Sequence, residues 1–290
     1  MNKIILITGA TDGIGKETAL ELARMGNQII IHGRNEQKAR NTVAELKKRT
    51  NNPQISYLIA DLFSLQSVMK LADLFKASFD HLDVLINNAG AVLDDNRSQT
   101  ENGIEATMQL NVISPLLLSE LLMPRLRSSN DGRIINMSSG TAIIAKPRMN
   151  DLNMDRINSG QTRYGISKLF VIWNTQHMAK RLKDEGINNV SVNVSHPGSV
   201  ATNFGQDSNN GFINNLIYKV ALKSHLMAAP SSGAATNVYL ATSNDVKGFS
   251  GKFFNNKCKM IKAPTRYYNI ENEEKLWNYC FNKIKPFLNR

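Results

Sequence analysis

Lys3-Ile4-Ile5-Leu6-Ile7-Thr8-Gly9-Ala10-Thr11-Asp12-Gly13-Ile14-Gly15 opens the chain almost at once, and its change from apolar run to glycine-rich turn decides the fold. The isoleucine-rich run suits a strand buried in a sheet. Gly9, Gly13 and Gly15 then let the backbone turn tightly and approach a pyrophosphate at the N-terminus of the following helix. Ile14, Thr18, Leu22 and Met25 recur at helical spacing, and Gly26 stands where a helix end takes a left-handed residue. A second apolar run over residues 28–32 completes a strand–turn–helix–strand unit. The spacing Gly-x-x-x-Gly-x-Gly departs from the Gly-x-Gly-x-x-Gly dinucleotide fingerprint, but the turn lies in the same structural context.

The rhythm continues outward from this unit. Strands are predicted at 3–8, 28–32, 55–60, 82–87, 133–137, 190–195 and 252–254, with helical periodicity between them. Alternation of this kind implies one doubly wound α/β domain, a Rossmann fold spanning residues 1–290, with a parallel sheet covered on both faces. A hydrophobic share of 42% supplies the core. Two stretches break the pattern, residues 140–160 and 204–230. Each is expected beyond the carboxyl end of a strand, where doubly wound sheets bind their ligands, so both are expected to shape the substrate pocket.

Composition narrows the function. The formal net charge is +11, but Lys and Arg are scattered along helices and form no nucleic-acid-binding motif. The apolar run 3–8 is too short for a signal-peptide core or a membrane span, and Cys258 and Cys280 lie in no disulfide or metal pattern. These features predict a cytoplasmic chain without a transmembrane anchor. His32, His81, His177, His196 and His225 stand in separate elements, so no metal site is expected and they read as core or surface residues. Tyr267, Tyr268, Leu276, Trp277 and Phe281 read as core or subunit packing, which leaves a homo-oligomer open.

Candidate chemistry rests first on Tyr164 and Lys168, four residues apart on a segment that reads as a helix through Leu169, Ile172 and Trp173. The phenol and the ammonium therefore share one face. A tyrosine normally ionises near pH ~10, and a nearby ammonium together with oxidised nicotinamide is expected to lower that value. Cofactor choice is read from the end of the second strand, His32-Gly33-Arg34. No carboxylate stands at its tip to take an unmodified ribose, whereas Arg34 is placed for a 2′-phosphate, which predicts NADP(H) ahead of NAD(H). Glu36 follows as the opening of the next helix, and Asp12 is a dissenting charge in the turn.

Thr8-Gly9-Ala10-Thr11-Asp12-Gly13-Ile14-Gly15, Asn87-Asn88-Ala89-Gly90, Tyr164-x-x-x-Lys168 and Pro197-Gly198, taken in this order, closely resemble the short-chain dehydrogenase/reductase family. The resemblance covers nearly the whole chain. It implies cofactor contacts at Gly9, Thr11, Gly13, Ile14 and Gly15, at Asp61 and Leu62 beside adenine, and at Asn88, Ala89 and Gly90. Tyr164, Lys168, Pro197, Gly198 and Thr202 join them, Thr202 also reading as a helix cap. It further implies a catalytic group of Asn111, Ser139, Tyr164 and Lys168, with Asn111 holding a water that links the lysine to solvent. Asn111 could instead satisfy backbone groups freed by a bend at Pro115. Ser139 is preferred to its neighbour Ser138 by the count from Gly132 and Arg133.

The long gap between serine and tyrosine, Ser250-Gly251-Lys252-Phe253-Phe254 and Glu274-Lys275-Leu276-Trp277 are similar to the retinol-dehydrogenase-like branch. Membrane-bound members of that branch carry an N-terminal hydrophobic anchor that this sequence does not show, so a retinoid substrate does not carry over. The expectation is an oxidoreductase acting on an apolar carbonyl or alcohol, in the manner of a carbonyl reductase. A catalytically silent dinucleotide sensor is the alternative. The apolar residues between Phe212 and Leu226 suggest either a lid or a peripheral membrane contact.

Overall fold

A computed structural model describes residues 2–198 and 230–288. Thr202 and all but the last residue of the stretch 204–230 lie outside the described residues. The order is β1 (Ile4–Ile7), α1 (Gly13–Arg24), β2 (Gln28–Gly33), α2 (Glu36–Thr50), β3 (Ile55–Ile59), α3 (Leu65–Ser78) and β4 (Val84–Asn87). Then come α4 (Ala106–Met108), a π-helical turn (Gln109–Ile113), α5 (Ser114–Arg127), β5 (Gly132–Met137), a 3₁₀ turn (Gly140–Ile144), α6 (Gly160–Asp184) and β6 (Val190–Ser195). The C-terminal part holds α7 (Pro230–Thr242), β7 (Phe253–Phe254), β8 (Met260–Ile261) and α8 (Ile270–Ile284).

The strands form one eight-stranded sheet in the order β3-β2-β1-β4-β5-β6-β7-β8. All neighbours pair parallel except β7 and β8, where Phe253 faces Ile261 across an antiparallel edge. That last strand is a finding; two residues bounded by polar turns carry no readable alternation. The order reverses between β1 and β4, so their crossovers leave toward opposite sides and open a crevice at their carboxyl ends.

Alternation along β1 assigns the two cores. Ile5 and Ile7 join Ile29, Ile31 and Leu20 on the face covered by α1, α2 and α7, whereas Leu6 joins Ile30, Leu85, Phe75 and Phe170 on the opposite face. Gly26 has a positive φ of 80°, as its place after α1 requires. Met25, read above as part of the buried stripe, is instead the C-cap of α1 and 55% exposed, because the helix ends before its side chain can turn inward. Pro115 occupies the first turn of α5, directly after the π-helical turn.

One continuous helical run, Ala106–Arg127, is long and apolar enough to cross a membrane, yet 83% of its most apolar window is buried inside the fold. The 25-residue α6 is likewise buried for most of its length. Ser159 caps its start by accepting from the Thr162 N–H, and Gly186 closes its end at φ 71°.

Trp173 anchors α6 against the C-terminal region. It is fully buried, 5.8 Å from the Phe170 ring and edge-on to Tyr268 at 5.9 Å. Its indole Nε1 finds no acceptor among the described residues. Trp173→Ala is therefore expected to cost about 3–5 kcal/mol in urea unfolding. Trp173→Phe removes the unsatisfied donor, worth about 1–3 kcal/mol, and should cost less than half as much. Equal losses for the two variants would show that the N–H is satisfied.

Candidate active site

The turn after β1 is built by exclusion. A Cβ on Gly9 would lie 2.9 Å from the Ala89 Cα, and one on Gly15 would lie 2.4 Å from the Gly9 carbonyl oxygen. Gly9 and Gly13 also have φ of 63° and 53°. Across the crevice, Asn88 Nδ2 donates to the carbonyls of Thr8 and Gly9 at 2.9 and 3.2 Å. The Ala89 N–H in return donates to the Thr8 hydroxyl at 3.0 Å. Asn88 thus shapes the turn through its side chain, and Leu62 faces the core at 4% exposure while its carbonyl accepts from Ser114.

His32 supports the same turn from below. It is buried and accepts the Gly9 N–H on Nδ1 at 3.2 Å, while Nε2 lies 3.1 Å from the Ala60 carbonyl. Those partners require the neutral ring protonated at Nε2, and burial holds its pKa down at about 4. Sequence reasoning placed His32 only as core or surface. Its partners come from two other loops, and no local spacing signals them.

Asp12 caps α1 by accepting from the Gly13 N–H at 2.8 Å, and its second oxygen accepts from Lys38 at 2.8 Å. The dissenting charge is thus partly offset by a lysine one turn into α2. Thr11 packs its methyl against Gly33, where a Cβ would come within 2.5 Å, bringing the turn against the end of β2 that carries Arg34. Asn35 caps α2, so Glu36 does open that helix. Asp61 is exposed and accepts from the Phe63 N–H at 3.0 Å. Gly198, at φ 75°, donates its N–H to His196 Nδ1 at 3.3 Å. The glycine cradle, the start of α1 behind it and the cations that follow β2 fit a dinucleotide, whose phosphates would lie along Gly9, Gly13 and Gly15.

Beyond β5 the catalytic candidates converge. Ser138 turns inward and donates to the Lys168 carbonyl at 2.7 Å, whereas Ser139 accepts from Thr141 and hydrogen-bonds Tyr164. Of the two serines, it is Ser139 that stands beside Tyr164. Lys168 Nζ donates to the Met137 carbonyl at 2.9 Å and stands 5.6 Å from the Tyr164 ring centroid. A Cβ on Gly90 would meet Lys168 Nζ and Asn111 Oδ1, each at 2.8 Å. Asn111 exchanges two hydrogen bonds with the Ala91 backbone, both at 3.1 Å, and donates to Ser167 at 3.0 Å. Its amide therefore anchors the loop after β4 to α6. Ser167, which passes this contact on to the Tyr164 carbonyl at 2.7 Å, was not anticipated.

The electrostatics differ from expectation in one respect. Burial pushes the Tyr164 phenol above its ordinary value, and the Ser139 hydrogen bond lowers it only in part. Burial also drops the Lys168 ammonium to about 7. In the chain alone desolvation outweighs the neighbouring ammonium, which lies over the ring rather than at its oxygen.

A depressed lysine has a stability consequence whose sign follows from linkage. Between about pH 7 and the ordinary lysine value the unfolded chain binds the proton and the folded one does not, so this group makes stability rise with pH there. Lys168→Met removes that dependence. Relative to wild type, the cofactor-free variant should be most favoured below about pH 7, and its advantage should shrink toward about pH 10. A difference in melting temperature that is flat across that window would show an ordinary lysine.

Known proteins share this sequence pattern and fold. A family model described as short chain dehydrogenase matches residues 3–211. Retinol dehydrogenase 12 of Mus musculus is 35% identical over 276 residues, 95% of this chain and 84% of that protein. Polyprenol dehydrogenase of Homo sapiens is 34% identical over 281 residues, 96% of this chain and 83% of that protein. Among solved structures, a protein from Mycobacterium paratuberculosis superposes with a TM-score of 0.75 at 25% identity, covering 98% of this chain and 93% of its own. A short chain dehydrogenase from Shigella flexneri 2a, solved with NADP, gives 0.67 at 25% identity over 89% of this chain and 98% of its own. Glycine cradle, catalytic convergence and relatives thus agree, and the chain belongs to the short-chain dehydrogenase/reductase family, in its retinol-dehydrogenase-like branch.

Proposed function

We propose that the chain moves a hydride between NADP(H) and an apolar carbonyl or alcohol, with Tyr164 as proton donor and acceptor. The observation that carries this reading is the convergence of Ser139, Tyr164 and Lys168 beside the Gly90 loop. When bound, nicotinamide supplies or accepts the hydride. The chain's own residues do the rest. Ser139 Oγ holds the reacting oxygen and stabilises charge growing on it. The Tyr164 hydroxyl gives its proton to that oxygen as the new C–H bond forms, so carbonyl, hydride and proton together make the alcohol; oxidation runs the same transfer backward. Lys168 sets the charge near the phenol and returns its proton, and Asn111 holds the loop against which the lysine rests. The water role of Asn111 belongs to this proposal.

Relatives named for retinol and polyprenol support an apolar alcohol or its carbonyl as the substrate class. Ile143 and Ile144, 55% and 78% exposed just beyond Ser139, offer apolar surface at the same side of the site. NADP(H) preference is supported by Arg34 directly after β2, by Lys38 in the first turn of α2, and by the family member solved with NADP. We place the enzyme in the cytoplasm, acting on small molecules without nucleic acid, with self-association and peripheral membrane contact compatible with its surface.

Two variants test the reading. Tyr164→Phe leaves the ring in place and should lower turnover about 100- to 10,000-fold while NADPH titrations stay near wild type; retained turnover removes Tyr164 from the chemistry. Arg34→Ala should weaken NADPH binding by roughly 10- to 150-fold, as expected for a lost charge-assisted contact, and leave NADH little changed. A wild type that prefers NADH overturns the cofactor assignment. NADPH binding with no turnover across aldehydes, ketones, retinoids and steroids would favour the silent sensor.

A further inference from the structure

Arg163, immediately before Tyr164, is fully buried. A cation without water must find both a counter-charge and acceptors for its N–H groups. The counter-charge is Glu105, equally buried, with Oε1 3.1 Å from Arg163 Nε. Glu105 is itself fixed at the start of α4, accepting from the Met108 N–H at 2.8 Å and from the Thr107 hydroxyl at 2.9 Å.

The acceptors are backbone carbonyls from two separate segments. Arg163 Nη1 donates to the Ile157 and Asn158 carbonyls at 2.7 Å each and reaches that of Asp95 at 3.5 Å. Nη2 donates to the Asp94 carbonyl. Residues 94–95 continue the loop that leaves Gly90, and residues 157–158 end the irregular stretch after Ser139. Irregular backbone brought inside a protein needs donors for its carbonyls, and here one planar guanidinium serves both segments. Asp95 closes the tie by accepting the Gly160 N–H at 2.7 Å at the start of α6. The approach is close: a Cβ on Gly160 would lie 1.9 Å from the Leu93 carbonyl oxygen.

We infer that Arg163 is a positioning residue that fixes the two loops flanking the crevice relative to the Tyr164 hydroxyl. It touches no reacting atom. The loop after β4 and the stretch before α6 also meet through the Arg97–Asp155 ion pair, whose aspartate is half exposed, whereas the fully buried charge of Arg163 holds both segments to the first turn of the helix that carries the proton donor. Lysine cannot replace it fully, because an ammonium offers donors from one point and cannot reach both segments as the fork does.

The inference rests on Tyr164 as proton donor, and the experiment separates the two. Arg163→Lys keeps a positive charge for Glu105 and is the variant expected to fold; Arg163→Met removes the charge. Backbone hydrogen exchange of the cofactor-free proteins, NADPH titration, and kcat and KM on the best carbonyl substrate are read together. Arg163→Lys should raise exchange in residues 91–97 and 153–159 and raise KM about tenfold. Displacement of the proton donor should lower kcat by up to roughly 100-fold in Arg163→Met. NADPH affinity should stay within about twofold in Arg163→Lys, since a change of that size is below 0.5 kcal/mol. A lower melting temperature with unchanged loop exchange, KM and kcat in Arg163→Lys would make Arg163 a core residue only and overturn the inference. Full turnover in Tyr164→Phe would sink the proton-donor reading instead, while the exchange data would still decide whether Arg163 holds the loops.

Discussion

Asn88 reaches back across the crevice to hold the carbonyls of Thr8 and Gly9, while the Thr8 hydroxyl takes the Ala89 N–H. This crossed pair joins the loops leaving β1 and β4, the neighbouring strands at which the sheet order reverses. That contact sets the distance between the glycine turn and the loop after β4. Gly9 and Gly15 admit no side chain because Asn88, Ala89 and the turn's own backbone occupy the space. The next residue along, Gly90, leaves room for Lys168 and Asn111, so the same loop borders the glycine turn on one side and Lys168 on the other.

Burial is the second organising force, and it acts on three titratable groups in different ways. His32 is kept neutral, which suits it to accept from Gly9 and donate to Ala60 without carrying charge beneath the cofactor turn. Lys168 is brought near neutrality of the solvent, where gaining and losing a proton cost little. Tyr164 is pushed the other way and stays protonated in the chain alone. Arg163 differs from all three: Glu105 and the surrounding carbonyls meet its charge directly.

Much of this was legible in advance, for reasons tied to particular residues. The continuous apolar run Ile4 to Ile7 and the period-two run Val190 to Ser195 mark strands because a sheet covered on both faces takes β-branched residues and a sheet face imposes alternation. Gly26 and Asn35 mark helix boundaries through their own backbone and capping preferences. Tyr164 and Lys168 share a helix face because four residues make about one turn. Where neighbours along the chain do not decide, the reading failed or stayed open. Met25 turned outward, β8 carried too little pattern, and no local spacing told that Ser138 would meet the Lys168 carbonyl while Ser139 met Tyr164.

The sequence by itself determined the alternating α/β plan, the glycine turn and the shared helix face of Tyr164 and Lys168, since each is written in local spacing and in the conformational limits of single residues. Tertiary structure alone decided that Asn111 anchors the Ala91 backbone, that His32 carries the turn, and that Arg163 gathers carbonyls from two loops. It also decided the protonation balance at Tyr164 and Lys168. The physical reason is the same in every case: desolvation and hydrogen-bond partnership depend on groups tens of residues away, brought close only when the sheet has closed over its two cores.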